Sequence, residues 1–284
     1  MSADLIANAI PGYELLDSGS GRKLERIAGR TVIRPCSQAV WAAAYPDQWA
    51  DAASECRRKS TGGGTWIHHE PLGPMEISWR GEHGSAVRFG LRLTEFGHCG
   101  VFFEQEPLWR HFQSVLGSGQ RFANLFGYTG SASLAVAAAG TDVFHVDSAR
   151  GVVDWGQANQ NLSGLDGASL KWIVDDVRSF LRLSRKRGWS YDVVFADPPS
   201  FGHGKKKNET WNWESDIAEM VADCAAVVAP GGELVLSCHT PGAQREALVN
   251  LLRSYGQVTA GELGVAHAND DRILPAGIYA RVAC

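Results

Sequence analysis

Three short polar segments, each placed after an apolar strand-like run, could together bind a nucleotide-like ligand. Residues 124–130 read N-L-F-G-Y-T-G, Asp147 ends the apolar run 142–146, and residues 197–201 read D-P-P-S-F. In a doubly wound α/β sheet, ligands bind outside the carboxyl ends of the strands. The pattern therefore predicts a cofactor loop, an acidic residue at a second strand end, and a polar edge that could hold a planar substrate.

The loop at residues 124–130 favours a cofactor that carries a carboxylate and no phosphate. Gly127 and Gly130 allow the backbone to approach a ligand closely, and the helix predicted from Ser131 directs free N–H groups at it. The loop lacks one glycine of the G-x-G-x-x-G pattern, and Tyr128 adds bulk where a pyrophosphate would need space. A purely structural turn is the alternative. The cofactor contacts expected here are Phe126, Gly127, Tyr128, Thr129 and Gly130.

Two acidic residues at strand ends are the expected contacts for an adenosine group. Asp147 follows Gly127 by 20 residues, and a carboxylate about there can accept hydrogen bonds from both ribose hydroxyls; Ser148 lies beside it. Asp176 follows the third strand, where it can accept a hydrogen bond from an adenine amino group. A neighbouring backbone N–H, with Val177 as the candidate, can serve the ring nitrogen. Both carboxylates could instead be helix N-caps.

The segment at residues 197–201 is suited to hold a base. Its two prolines fix φ and remove two N–H groups, which leaves rigid carbonyls and one carboxylate at the sheet edge. Asp197, Pro198 and Pro199 could orient an amino group or ring N–H, and Phe201 could stack on the ring. A strand-ending turn is the structural alternative. A basic run follows, for which RNA contact and a solvated loop are equal alternatives: Lys205, Lys206 and Lys207.

The sequence pattern that predicts secondary structure changes near residue 106. From there, strand-like runs alternate with helical ones, which indicates βαβ units and a parallel sheet. Strands are predicted at residues 122–126, 142–146, 170–174, 192–196 and 233–238, followed by an antiparallel pair at 257–260 and 278–283. Helices are predicted at residues 131–139, 151–161, 177–185, 213–228 and 243–255.

The residues before this point read as a smaller β-rich domain. Strand-like runs lie at residues 31–34, 64–68, 75–79 and 86–91, separated by glycine and charged turn residues, and a helix is expected only near residues 37–58. We therefore expect an α/β fold, Rossmann-like and doubly wound with a mostly parallel sheet, at residues 106–284. Residues 1–105 form the β-rich N-terminal domain in this division.

Composition excludes several classes of protein. Of 284 residues, 44% are apolar and 20% are charged, as in ordinary soluble domains, and no apolar run approaches the length of a membrane span. The N-terminus has no signal-like stretch, so a cytoplasmic location is expected. The six cysteines are scattered without a C-x-x-C pair, which argues against a disulfide framework or a metal site. A net charge of −4 argues against broad nucleic-acid binding.

From about residue 100 to residue 238, the chain resembles class I S-adenosylmethionine (SAM)-dependent methyltransferases. The resemblance is carried, in order, by N-L-F-G-Y-T-G, H-V-D-S, W-I-V-D-D-V and F-A-D-P-P-S-F. More narrowly, it is similar to the ribosomal-RNA large-subunit methyltransferases that include cytosine-5 enzymes. The resemblance implies SAM as cofactor, RNA as substrate and a position near the cofactor for residues 100–105, with Gln105 as a contact. The N-terminal domain could then recognise the RNA.

The same resemblance raises the question of a covalent mechanism. Cytosine-5 enzymes of the family use a cysteine at the end of the fifth strand, where this chain has Cys238. Its thiolate would add to C6 of cytosine, and Asp197 could hydrogen-bond the ring. Cys238 could equally be a small core residue, and His239 should point to the opposite face. Ser200 stands where some RNA cytosine-5 enzymes have a second cysteine, which leaves removal of the C5 proton unassigned.

The favoured function is thus SAM-dependent methylation of a ribosomal-RNA base, with cytosine C5 as the first choice of atom. A first alternative is methylation of a nitrogen on another base or a small molecule, with no covalent step. An NAD(P)-dependent oxidoreductase is a second alternative, which the missing glycine disfavours. A non-catalytic RNA-binding protein with the same fold is a third.

Overall fold

The first hundred residues form strands. The structure is a computed structural model that describes residues 4–7, 10–59, 63–84, 86–203 and 210–284. The strands of this part are β1 (Leu5–Ala7), β2 (Tyr13–Gly19), β3 (Arg22–Ile27), β4 (Arg30–Pro35), β5 (Ser54–Arg58), β6 (Gly64–His68), β7 (Met75–Trp79) and β8 (Val87–Leu91). Strands β2 to β6 make one sheet in chain order, and β7 pairs with β8.

The prediction of a helix near residues 37–58 is wrong. That stretch contains one 3₁₀ turn, Pro46–Trp49, and then strand β5. The backbone N–H groups of Ala44 and Tyr45 donate to the buried carboxylate of Asp17. These bonds hold the chain in an irregular conformation that a helix could not adopt.

The alternating pattern predicted from residue 106 onward is confirmed. A 3₁₀ turn, Phe103–Gln105, leads into the helices α1 (Glu106–Val115), α2 (Ser131–Ala137), α3 (Arg150–Leu162), α4 (Val177–Arg187), α5 (Trp213–Ala225) and α6 (Arg245–Leu252). The strands are β9 (Arg121–Leu125), β10 (Asp142–Asp147), β11 (Leu170–Val174), β12 (Tyr191–Ala196), β13 (Phe201–His203), β14 (Thr210–Asn212), β15 (Val228–Cys238), β16 (Val258–Ala266) and β17 (Ile273–Ala283).

One eight-stranded, mostly parallel sheet organises this part, in the order β1-β16-β17-β15-β12-β9-β10-β11. Strand β17 is antiparallel to both of its neighbours. The chain runs from β9 outward to β11 and then returns to β12 on the other side of β9, so the strand order reverses between β9 and β12. A crevice at such a reversal is where ligands bind in doubly wound sheets.

Alternation along the central strands gives the sheet two apolar faces. Phe122 and Val193 belong to a core shared with α1 and α2, whereas Ala123 and Val194 face a second core with α4, α5 and α6. The first core also includes Tyr13 of β2, and β1 pairs in parallel with β16. The N-terminal strands therefore pack directly on the large sheet, and the division at residue 105 stays a prediction. Within the described part of the chain, no helix is long and apolar enough to cross a membrane.

A buried carboxylate fixes the N-terminal sheet against the C-terminal strands. Asp17 is fully buried and accepts hydrogen bonds from Trp49 Nε1 at 2.9 Å and Arg272 Nη2 at 2.8 Å. The neighbouring Ser18 Oγ lies 2.9 Å from His267 Nε2. These contacts join β2 to the turn between β16 and β17, and so set the position of the N-terminal sheet beside the site.

We expect Asp17→Ala to lower the free energy of unfolding by about 3 kcal/mol, because Trp49 Nε1 and two backbone N–H groups lose their acceptor and Arg272 keeps only Asp270. Urea titration measures this change. Asp51→Ala, at an exposed position in the same part of the chain, is the matched control and should shift stability by less than about 0.5 kcal/mol. Equal effects of the two substitutions would contradict the role given to Asp17.

Candidate active site

A cavity of about 560 Å³ opens at the carboxyl edge of the large sheet. It lies where the loops after β9, β10, β11, β12 and β15 converge. Nine of the residues proposed from the sequence line it: Phe126, Tyr128, Asp147, Ser148, Asp176, Val177, Asp197, Pro198 and Pro199. The structure therefore brings these residues together in one cavity, and their roles in binding stay predictions.

The loop after β9 has an unusual backbone that explains its glycines. Phe126 and Tyr128 have positive φ angles of 57° and 52°, and Gly130 has φ 82°. Such angles cost a non-glycine residue energy, and they cluster at ligand sites. A Cβ atom on Gly127 would lie 2.4 Å from Cε1 of His145, a fully buried ring. The close packing of this loop therefore requires glycine at position 127.

A small second space of about 20 Å³ lies beneath this loop, lined by Gln105, Asn124, Gly127 and Thr129 among others. The hydroxyl of Thr129 donates to the carbonyl of Gly100. This bond ties Gly100 to the loop, and the position of residues 100–105 near a cofactor stays a prediction. Polar groups therefore lie next to the large cavity at the place where a cofactor carboxylate would be expected.

Asp147 is positioned to accept further hydrogen bonds. Its Oδ2 accepts from the backbone N–H of Tyr128 at 3.0 Å, and its Oδ1 accepts from that of Ala149 at 2.9 Å. Burial raises the pKa of this carboxyl, and the backbone donors oppose the shift. Each oxygen has capacity for another donor, and the side chain lines the cavity, so the arrangement suits ribose hydroxyls.

Asp176 has the N-cap role that its sequence position allowed, and its contact with an adenine stays a prediction. It is the N-cap of α4, because its Oδ1 accepts from the backbone N–H of Ser179 at 3.0 Å. It also lines the cavity together with Ser148 and Val177. The N-cap fixes the orientation of the carboxylate, which leaves its remaining capacity available to an adenine.

Asp197 is held by donors from two distant parts of the chain. Gln105 Nε2 donates to Oδ2 at 2.6 Å, and Ser237 Oγ donates to Oδ1 at 2.6 Å. Gln105, proposed as a cofactor contact, thus lies between the small space and this carboxylate. Ser237 was missed because its importance depends on β15 lying next to β12, which the local sequence does not reveal.

His239 is a second residue that the sequence did not assign. Its Nδ1 lies 2.8 Å from the carbonyl oxygen of Ala276, and its Nε2 lies 3.4 Å from Asp197 Oδ1. Phe102 stacks on the ring with centroids 5.8 Å apart. Burial lowers the pKa of this imidazole, but Asp197 and Glu104 outweigh burial, so the net shift is upward. Strand alternation predicts that His239 points away from Cys238. It does not predict that His239 lies close to the carboxylates of Asp197 and Glu104.

The D-P-P-S-F segment leaves the sheet with its backbone fixed. The carbonyl of Pro199 accepts a hydrogen bond from Trp211 Nε1 at 2.6 Å, and Trp211 also lines the cavity. Pro198 and Asp197 face the cavity beside it. Phe201 is 56% exposed on β13 and lies outside the cavity lining. One group of proposed contacts lies outside the described residues: Lys205, Lys206 and Lys207.

Cys238 lies in the apolar core on the α4–α6 face of the sheet. Its side chain is 1% exposed and packs in the second core. Burial raises the pKa of its thiol, and the nearby Asp197 charge adds to the rise. The thiol is thus disfavoured as a thiolate at neutral pH in this conformation. Its role as a nucleophile stays a prediction.

We expect Gly127→Ala to reduce affinity for SAM by at least tenfold, because the added methyl group forces the loop or the His145 ring to move. Isothermal titration calorimetry with SAM measures the change. The control is Gly151→Ala in α3, where an added Cβ meets nothing within 4 Å. Unchanged affinity in Gly127→Ala would show that the loop does not contact the cofactor.

The raised pKa of His239 predicts a pH-dependent contribution to stability. Attraction to Asp197 and Glu104 is fully present below pH 6.5, the ordinary pKa of histidine, and is lost as pH rises through the higher folded-state pKa. His239→Gln should therefore cost more unfolding free energy at pH 5.5 than at pH 9, relative to the native chain. Urea titrations at both pH values, with exposed His69→Gln as control, measure this. A cost that is independent of pH would contradict the ion-pair account.

Comparisons with known proteins agree with the geometry of this site. Residues 19–253 match the family model described as S-adenosylmethionine-dependent methyltransferase. The chain is also similar to a crystal structure of a SAM-dependent methyltransferase from Agrobacterium tumefaciens. That protein is 33% identical, with a TM-score of 0.92, over 100% of this chain and 94% of that one. A structure described as a SAM-dependent methyltransferase from Streptococcus mutans shares the fold at 14% identity and a TM-score of 0.71, over 96% and 76% of the two chains.

Curated relatives carry a more specific name over a shorter stretch. The ribosomal RNA large subunit methyltransferase K/L of Hahella chejuensis is 35% identical over 159 residues, which is 56% of this chain and 21% of that protein. The protein of that name from Syntrophotalea carbinolica is 32% identical over 52% of this chain and 20% of its own length. The match thus spans about a fifth of each relative. The oxidoreductase alternative is excluded by the family match, and this chain belongs to the S-adenosylmethionine-dependent methyltransferase family.

Proposed function

We propose that this protein methylates a nitrogen atom of an RNA base without a covalent intermediate. The observation that carries this proposal is the fixed Asp197 carboxylate, beside Pro198, at the edge of a cavity that residues proposed for the cofactor also line. With the Pro198 carbonyl as the second acceptor in this proposal, the rigid segment can hold an amino group and fix the direction of its nitrogen. Positioning of this kind accounts for much of the rate of a displacement reaction.

The residues of the site support each part of this chemistry. SAM, when bound, supplies an electrophilic methyl group on a sulfonium. Asp147 and Asp176 are placed for the ribose and the adenine, and Gly127 allows the loop to lie close to the rest of the cofactor. In this proposal, Asp197 accepts a hydrogen bond from the target amino group and receives the one proton that this nitrogen loses.

Cytosine C5, the first choice from the sequence, is the second candidate. It is favoured by the position of Cys238 at the end of β15, two residues before Thr240, which lines the cavity. It requires the buried thiol to become exposed and ionised, against the upward shift of its pKa. A nitrogen target needs neither change, and for that reason we prefer it.

RNA as the substrate class rests on the names of the curated relatives, each matched over about a fifth of its length. Ribosomal RNA is accordingly the first substrate to test, and a cytoplasmic location would go with it. The cavity is large enough for part of the cofactor and one base, so the target base would have to leave its stack to enter.

The direct test is incubation of the purified protein with labelled SAM and unmodified ribosomal RNA, followed by nucleoside analysis. We expect label in a nitrogen-methylated nucleoside. Label in 5-methylcytidine would move the proposal to the second candidate. Absence of label from every RNA offered, with SAM bound, would favour a non-catalytic RNA-binding role.

Two substitutions distinguish the mechanisms. Asp197→Ala should lower kcat by about 100-fold or more because it removes the group that orients the amine and accepts its proton. Cys238→Ala should keep kcat within about twofold, like the control Cys284→Ala at an exposed position. SAM affinity, measured by calorimetry, checks that each variant is folded. Loss of methyl transfer in Cys238→Ala with SAM affinity intact would establish the covalent route.

A further inference from the structure

A second cleft, of about 230 Å³, opens beside the active-site cavity at the junction with the N-terminal sheet. The two share four lining residues, Arg58, His98, Phe102 and His239, so they are neighbouring parts of one depression. One wall comes from β3, β4, the end of β5 and the loop after β8, and the opposite wall includes residues of β16 and β17. Of the predicted substrate contacts that the structure describes, none lies in it.

Cations outnumber carboxylates in the lining of the cleft, whereas carboxylates outnumber cations in the lining of the active-site cavity. Lys23, Arg34 and Arg58 line the cleft, and Glu104 is the carboxylate in its lining. Arg34 and Lys23 both contact one buried carboxylate, that of Glu25, at 2.6 Å and 3.0 Å. Two cations against one anion leave a net positive charge in that cluster, to which Arg58 adds.

The titration of His98 reports the same positive potential. Burial is the largest cause of a lowered pKa of this imidazole, and Arg34, Lys23 and Arg58 add to it, so that the pKa falls to about 4. The active-site cavity instead carries three carboxylates, Asp147, Asp176 and Asp197, against two guanidinium groups, Arg178 and the shared Arg58. Carboxylates suit the sulfonium and hydroxyls of the cofactor, whereas the positive cleft suits an anion.

Arg58 is the cation best placed to meet such an anion. It lies at the end of β5, is exposed, and lines both the cleft and the active-site cavity. Within the described part of the chain, no carboxylate lies within 4 Å of its guanidinium. Arg57, one residue earlier, pairs with Glu55 at 2.9 Å, as expected if strand alternation directs it to the opposite face.

An aromatic ring completes the cleft. Phe96 lines it and is 69% exposed, which is unusual for a large apolar side chain. A basic side chain beside an exposed ring is the combination that binds single-stranded nucleic acid, because the cation meets a phosphate and the ring stacks on a base. A small anionic metabolite would not need both groups, nor a cleft continuous with the target-base cavity.

We propose that this cleft binds the RNA nucleotide next to the target base, with a flanking phosphate on Arg58 and the base against Phe96. The inference rests on the proposed RNA substrate and deepens it. The N-terminal strands then supply the wall that holds the RNA strand, while the large sheet supplies the cofactor and the reacting edge.

The test compares Arg58→Ala and Phe96→Ala with Arg57→Ala as the matched control. KM for unmodified ribosomal RNA should rise about tenfold in each of the first two variants with little change in kcat, and by less than about twofold in the control. SAM affinity should be the same in all three. Loss of one phosphate contact in Arg58→Ala should also reduce the salt dependence of binding by about one unit of log K against log salt.

A measurement of RNA binding without turnover tests the cleft proposal independently of the proposed reaction. Fluorescence anisotropy of a labelled ribosomal RNA fragment, with S-adenosylhomocysteine present, should show weaker binding by Arg58→Ala and Phe96→Ala even if no base is methylated. That result would support the cleft while contradicting the reaction. Equal RNA affinity in all three variants, or no RNA binding by the native chain, would overturn the cleft proposal.

Discussion

The Asp197 carboxylate is the constraint on which the site depends. It lies at the end of β12, and donors reach it from the turn before α1, through Gln105, and from β15, through Ser237. His239 adds a ring that is charged more readily because this carboxylate is near. A partly buried carboxylate with donors from two elements keeps one orientation, because a rotation would break its hydrogen bonds to Gln105 and Ser237. The reacting edge is therefore set before a substrate arrives.

Around this fixed point, the fold separates two ligands by charge. The loops after β10 and β11 place Asp147 and Asp176 on one side, and the N-terminal strands place Arg58 and the Glu25–Arg34 cluster on the other. The N-terminal sheet can do this because it packs on the large sheet and is tied to the turn between β16 and β17 through Asp17. The two regions of opposite charge lie side by side and share three rings, those of Phe102, His98 and His239.

Much of this could be predicted from the sequence, for physical reasons that also explain the failures. Strand ends in a parallel sheet share one edge, so Asp147 and Asp197 could be placed together from local patterns alone. The prediction of a helix near residues 37–58 failed because the backbone N–H groups of Ala44 and Tyr45 donate to Asp17, which is far away in the chain. Ser237, His239 and Arg58 were missed because their roles depend on which strands become neighbours. Position at a strand end likewise did not reveal that Cys238 is buried.

The most direct measurement of the central claim is a crystal structure of the protein soaked or co-crystallised with S-adenosylhomocysteine. The account predicts the ribose hydroxyls on Asp147, the adenine beside Asp176 and Val177, the amino-acid end at the space beneath the 126–130 loop, and the sulfur facing Asp197. A ligand bound elsewhere, or an empty cavity at saturating ligand in a crystal that leaves the site open, would contradict it.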